Sequence, residues 1–327
     1  MHQPIHPDVL DRLHPEYVPF HNKHIAPVVP PHTIEWHPDI RKLPVVPGSS
    51  PVVQVGAIRD IALQNCKIRV YTPEGDPPPL GWPVFLYIHG GGWTLGNLAT
   101  QASFAARQCK EHRCLTICLD YRLAPENPYP AAVIDTVDAL KWIHQQGQSE
   151  LNANVNKIAV GGSSSGGNLA TIVSLKAQQL DPPIPILFQL LVVPVIDNTA
   201  TDSGDKYPSW KEMKNTVWLN KGRMMWFRHN YLPDPTTWAN WDNSPIFAPE
   251  TLLANAPPAW VGVCEMDILR DEGIAYGKKL EALGVKVEIK TYERVPHQSL
   301  GMDGVLAVSK TMVADATKAL GDAFKAA

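Results

Sequence analysis

The stretch KIAVGGSSSGGNLA, Lys157 to Ala170, runs a short apolar segment into two pairs of glycines around three serines, and then into a helical pattern. Strand, small residues and helix in that order describe a sharp strand-to-helix turn of the G-x-S-x-G kind. Such a turn projects a serine above the carboxyl edge of a parallel sheet. The positions two before and two after that serine must be tiny, because the turn presses them against neighbouring backbone. Ser164 has Gly162 and Gly166 there. Ser163 has Ser165 at +2, and Ser165 has Ser163 at −2, so only Ser164 fits. The pattern is short enough to arise by chance, and the rest of the chain must support it.

Outward from this turn, apolar runs alternate with helical ones. VVQVGAIRDIAL and CKIRVYTPE read as an opening antiparallel pair, and PVFLYIHG (Pro83 to Gly90) as a strand ending in glycines. A helix over Ser103 to Arg113 and the strand CLTICLDY (Cys114 to Tyr121) follow. Val133, Val137, Leu140, Trp142 and Ile143 recur at helical spacing in a helix over Ala131 to Gln146. After the strand Lys157 to Val160 come a helix over Asn168 to Leu180 and strands at Ile186–Val195, Trp260–Cys264 and Val285–Tyr292. A last helix spans Val305 to Ala326. Continuous apolar strands between helices predict an α/β fold with a mostly parallel central sheet covered on both faces.

Two regions break the rhythm. Residues 1–45 are rich in proline and histidine, holding seven of the twelve histidines, whose irregular spacing reads as surface scatter. Residues 198–243 carry KEMKNTVWLNKGRMMWFRHNYL, too aromatic for a disordered loop and longer than a connection needs. The division expected is therefore an N-terminal cap segment (1–45), a core (46–197 and 244–327) and a cap insertion (198–243).

Composition narrows the classes of function. A formal net charge of −3 with no basic run removes the electrostatic basis for nucleic-acid or anionic-membrane binding. No apolar stretch reaches the roughly 18 residues of a membrane span. The start, MHQPIHPDVL, has neither the basic nor the apolar part of a signal peptide, so a cytoplasmic location is expected. Cys66, Cys109, Cys114, Cys118 and Cys264 are odd in number and mostly in apolar surroundings. They read as thiols rather than a disulfide framework, and their spacing is not that of a zinc site, so neither metal nor cofactor is expected. A homodimer is compatible with the sequence, which does not set the oligomeric state.

The chemistry lies in three further segments. HGGGW, His89 to Trp93, follows the strand PVFLYI, and consecutive glycines let backbone N–H groups point at an oxygen with no side chain in the way. A serine hydroxyl needs a base, and the base needs an orienting carboxylate. EMDILRDEG after WVGVC offers Glu265, Asp267, Asp271 and Glu272. Asp267 opens the loop and is preferred, since Asp271 and Glu272 fall in the next helix's first turn, where acids commonly cap. His297, in PHQSL, is the last histidine of the chain and sits after the last strand. Asp120, Arg122 and Glu126 read as a buried ion-paired loop beneath the site, and Asn168 as a support for the helix start.

Taken together, HGGGW, DYRLAPENPYPAA (Asp120 to Ala132), GSSSGGNLA and DILRDEG resemble, in order and spacing, the hormone-sensitive lipase family of α/β-hydrolase esterases. The resemblance implies Ser164 as nucleophile, Asp267 as acid, His297 as base, and an oxyanion hole from the N–H groups of Gly91, Gly92 and Ser165. It also implies a helical cap from the N-terminus and an insertion after the sixth strand. Three residues depart from the family pattern. Ser163 stands where Asp or Thr is usual, Ser165 where Ala is usual, and Gln298 where glycine commonly follows the base. The expected activity is hydrolysis of small to medium, relatively apolar carboxylic esters through an acyl-enzyme, with Trp93, Trp218 and Phe227 in the substrate pocket. An amidase, formamidase or lactonase would use the same machinery. The related gibberellin receptors bind without catalysis, but they have lost the histidine that this chain keeps at His297.

Overall fold

The computed structural model describes residues 2–42 and 47–326, so the boundary expected between 45 and 46 lies outside the described residues. Among the described residues eight strands form one sheet: β1 (Ala57–Ala62), β2 (Lys67–Thr72), β3 (Trp82–Ile88), β4 (Leu115–Asp120), β5 (Ala153–Ser163), β6 (Phe188–Val192), β7 (Ala259–Cys264) and β8 (Val287–Tyr292). Their order across the sheet is β1-β2-β4-β3-β5-β6-β7-β8. β2 pairs antiparallel with β1 and β4, and every other pairing is parallel. This is the α/β-hydrolase fold.

The helices are α1 (Pro7–Leu10), α2 (Tyr17–His24), α3 (Ala102–His112), α4 (Ala131–Leu151), α5 (Ser165–Lys176), α6 (Ser209–Glu212), α7 (Lys221–Tyr231), α8 (Glu250–Ala254), α9 (Arg270–Ala282) and α10 (Ala307–Ala326). α4 and α5 pack together against β5, while α10 packs with α3 and against β6 and β7. Sandwiched in this way, β6 and β7 are buried along their whole length, which is why they read as unbroken apolar runs. No described helix is long and apolar enough to cross a membrane.

Boundaries differ from the sequence reading where backbone geometry intervenes. β5 begins at Ala153, because Trp82 of β3 extends the pairing back to that residue. β6 stops at Val192: Val193 has φ 41°, and Pro194 has no N–H to continue a ladder. α5 starts at Ser165, taking Gly166 and Gly167 into its first turn.

The charged loop after β4 is not the internally paired cluster expected. Asp120 pairs with Lys67 at 3.2 Å, Glu126 with Arg41 at 2.6 Å, and Arg122 reaches Asp135 of α4 at 2.7 Å. Each of these charges finds its partner outside the loop, on a segment brought in by the fold. Asn168 behaves as expected of a support, its Nδ2 donating to the carbonyls of Val195 and Asn243 at 2.9 Å each. The N-terminal histidines are not all scattered. His21 is buried, bridging the Tyr17 hydroxyl (3.0 Å) and the Gln3 carbonyl (2.7 Å).

Asp135 is fully buried, and besides the guanidinium it accepts the Arg122 backbone N–H at 2.8 Å. Removing the arginine strands a carboxylate in the core. Arg122→Ala is expected to lower unfolding free energy by roughly 2 kcal/mol, with Arg122→Lys recovering only part, as measured by urea denaturation.

Candidate active site

β5 ends at Ser163 and α5 begins at Ser165, leaving Ser164 alone in the turn with φ 55° and ψ −120°, a region costly for any residue with a Cβ. What tolerates the strain is the absence of side chains around it. A Cβ on Gly162 would meet the Gly166 carbonyl at 2.4 Å, and one on Gly166 would meet the Ile88 oxygen at 2.0 Å. The turn is fixed by hydrogen bonds: the Ser164 N–H donates to Val192 at 2.9 Å, and its carbonyl accepts from Asn168 at 3.0 Å.

His297 follows β8, and its Nε2 lies 2.8 Å from Ser164 Oγ. Its Nδ1 lies 2.6 Å from Asp267 Oδ2. A carboxylate only accepts, so Nδ1 carries the proton and Nε2 is left to accept from the serine hydroxyl. Asp267 is fully buried, and its other oxygen accepts the Leu269 N–H at 3.0 Å.

The three rival acids are engaged elsewhere. Glu265 accepts the Arg294 N–H at 2.7 Å. Asp271 accepts the Ser209 N–H at 2.7 Å, and Glu272 accepts Ile196 N–H (2.8 Å) and Trp210 Nε1 (3.1 Å). The loop of Asp267 is also held from residues 198–243. Ser209 Oγ donates to the Ile268 carbonyl at 2.7 Å and Thr216 Oγ1 donates to the Met266 carbonyl, one on each side of the acid.

The glycine segment after β3 turns with φ 124° at Gly91 and 60° at Gly92. A Cβ on Gly91 would strike the Leu95 carbonyl at 2.1 Å, and one on Gly92 would enter the Phe227 ring at 2.1 Å. Leu95 N–H donates to Gly91 O at 2.8 Å and pins the turn. Gly91 and Gly92 N–H groups meet no acceptor among the described residues. The N–H of Ser165 opens α5, where no carbonyl of the helix can reach it.

Ser163, one of the departures, has a partner that sequence could not show. Its Oγ lies 2.9 Å from Nε2 and 3.0 Å from Oε1 of Gln101, and that oxygen also accepts the Tyr87 hydroxyl at 2.6 Å. The elbow is thus tied across β3 to the start of α3 by a neutral network.

Ser164 and His297 open into a cavity of about 290 Å³. Residues from both irregular stretches line it, among them Val28, Pro31 and Ile40 from one and Leu219 and Arg223 from the other. Of the three expected pocket residues, Trp218 and Phe227 line the cavity. Trp93 does not. With φ 54° its indole turns away and stacks flat on Tyr231, centroids 4.4 Å apart at 7°, fully buried. Gln298 also lines the cavity, and its Oε1 is buried without a hydrogen-bond partner among the described residues.

A family model described as the alpha/beta hydrolase fold matches residues 85–300. The chain is 41% identical over 334 residues to an AB hydrolase superfamily protein of Schizosaccharomyces pombe, covering 98% of this chain and 97% of that one. It is 35% identical to esterase LipI of Mycobacterium tuberculosis over 241 residues, 73% of this chain and 72% of LipI. The hyperthermophilic esterase of the archaeon Pyrobaculum calidifontis matches with a TM-score of 0.76 and 31% identity, across 82% of this chain and 84% of that one.

Two substitutions separate the glycine turn from the serine network. Gly92→Ala places a methyl inside the Phe227 ring at a positive φ. It is expected to lower kcat/KM on p-nitrophenyl butyrate by about 100-fold or more while circular dichroism is unchanged. Ser163→Ala is expected to cost about 1 kcal/mol in thermal or urea unfolding and less than about tenfold in kcat/KM.

Proposed function

Because the chain belongs to the α/β-hydrolase family, in its hormone-sensitive-lipase type, and is a serine carboxylic-ester hydrolase, we propose that Ser164, His297 and Asp267 carry the reaction. The observation behind this assignment is the unbroken hydrogen-bonded line from Ser164 Oγ through the imidazole to Asp267, at 2.8 and 2.6 Å.

In the reaction proposed, Ser164 Oγ attacks the ester carbonyl as His297 Nε2 takes its proton. Asp267 holds the imidazolium that forms. The oxygen of the tetrahedral intermediate gathers negative charge and would be met by the N–H groups of Gly91, Gly92 and Ser165, which have no acceptor of their own among the described residues. His297 then protonates the departing alkoxide, leaving the acyl group on Ser164. A water molecule, deprotonated by His297, attacks that acyl group, and collapse of the second intermediate releases the acid and restores the serine. No metal or cofactor takes part in these steps.

Residues 1–45 and 198–243 would act as a cap over the core formed by 46–197 and 244–327. Supporting this, cavity-lining residues come from both stretches, and the short helix at Pro31–Thr33 packs on α7. A cavity of about 290 Å³ with Val28, Pro31, Ile40, Leu219 and Phe227 in its walls suits small to medium esters whose bulk is relatively apolar. Nothing in the site favours an amide or a lactone over an ester. We place the enzyme in the cytoplasm on its cysteines. All five are free, and burial first of all pushes the thiols of Cys66, Cys109 and Cys118 up to about 12. Its partner is the small ester alone; a homodimer would leave the site within each chain, since every residue named for it comes from one chain.

A p-nitrophenyl ester series of increasing acyl length tests the assignment. Ser164→Ala, His297→Ala and Asp267→Asn are each expected to lower kcat by about 10⁴-fold. Asp271→Asn, which loosens the Ser209 and Arg270 contacts and leaves the histidine untouched, is expected to stay within about tenfold of wild type. Residual activity within tenfold for Ser164→Ala overturns the nucleophile, and equal losses for the two aspartates overturn the choice of acid.

A further inference from the structure

The walls of the catalytic cavity hold two arginines, and they are not equivalent. Arg41 is spent on its surroundings. It forms a two-pronged pair with Glu126 at 2.6 and 3.2 Å and donates to the carbonyls of Thr94 and Ala124 at 2.8 Å each. Arg223, in the first turn of α7, has none of this. It is 92% buried, and no carboxylate among the described residues lies within ion-pair distance of its guanidinium. Its Nε has no acceptor, and Nη1 makes a single long bond of 3.4 Å to the Trp218 carbonyl. What accommodates the charge is aromatic: the guanidinium carbon sits 4.9 Å from the Trp218 ring and 5.9 Å from the Phe227 ring.

An arginine buried without a counter-charge is an unstable arrangement unless something supplies one. Burial lowers its pKa only to about 10, so it remains a cation at neutral pH. The Phe227 ring beneath it is the one that lies against Gly92, so the guanidinium stands one aromatic ring away from the glycine turn. Nearby His32, also buried around Nδ1 without a partner, adds no negative charge.

We propose that Arg223 is the counter-ion site for a carboxylate carried by the substrate, so that the preferred esters bear one free carboxylate at the end of an otherwise apolar body. This rests on Ser164 being the nucleophile. The planar fork of a guanidinium matches the two oxygens of a carboxylate. A doubly charged phosphate would need a second free cation, and the other arginine of the cavity is already paired. The carboxylate can sit on the acyl or the alcohol side of the ester.

Two matched pairs of substrates read both placements. p-Nitrophenyl hydrogen glutarate is compared with p-nitrophenyl valerate, and 4-(butanoyloxy)butanoate with pentyl butanoate, on wild type, Arg223→Met and Arg223→Lys. In at least one pair the preference of wild type for the carboxylate member, read as the ratio of kcat/KM within the pair, is expected to fall about tenfold or more in Arg223→Met and to return in part in Arg223→Lys. Unchanged ratios in both pairs, or equal losses on charged and neutral esters, overturn the assignment. Should Arg223→Met fail to fold, wild type alone decides: hexanoate is expected to inhibit valerate-ester hydrolysis about tenfold more tightly than hexanamide, and equal inhibition overturns the proposal. Failure of wild type to hydrolyse any neutral ester, with no labelling of Ser164 by a fluorophosphonate, would instead strike the catalytic assignment beneath it.

Discussion

The close approach of three backbones around Ser164 is the constraint from which the rest of the site follows. The end of β3, the end of β5 and the first turn of α5 meet where a single Cβ would lie 2.0 Å from the Ile88 oxygen. Only glycine at 162 and 166 lets the serine stand in its strained conformation. The same contact brings the glycine turn after β3 beside the serine, so the nucleophile and the candidate oxyanion donors are set by one packing event. Displacing either element would cost the other its place.

Around that junction the structure sorts charges by reach. Of four acids within eight residues, only Asp267 meets the histidine, and the remaining three hold the backbone of neighbouring segments. The acid is buried, its loop is bonded on both sides, and its two oxygens meet the imidazole and the Leu269 N–H. A network that is fully satisfied at its buried end and open at its serine end is stiff where orientation matters and accessible where a substrate arrives.

What could be read from the sequence was local. The turn at Ser164 declares itself because its requirements fall within five residues, and the family resemblance supplies the order of serine, acid and histidine. Features that depend on distant partners stayed hidden. Ser163 looked unexplained because Gln101 is 62 residues away, across a strand. The charged loop after β4 looked self-paired because Arg41 is 85 positions from Glu126. Trp93 looked like a pocket residue because it adjoins the glycines, yet a positive φ turns its ring onto Tyr231. Arg223 gave no signal, since lacking a partner is a property of the folded surroundings and not of any motif.

The bonds from Ser209 and Thr216 to the carbonyls on either side of Asp267 also bear on how such a protein can diverge. A stretch that lines the cavity would ordinarily be free to vary, exchanged wholesale to change what fits inside. Here the same stretch holds the acid's loop in register, so it is not a detachable module. Inheritance or engineering that replaces residues 198–243 must bring along two hydroxyl donors at matching positions, so the sequence space open to this wall of the cavity is narrowed by the loop that holds the acid.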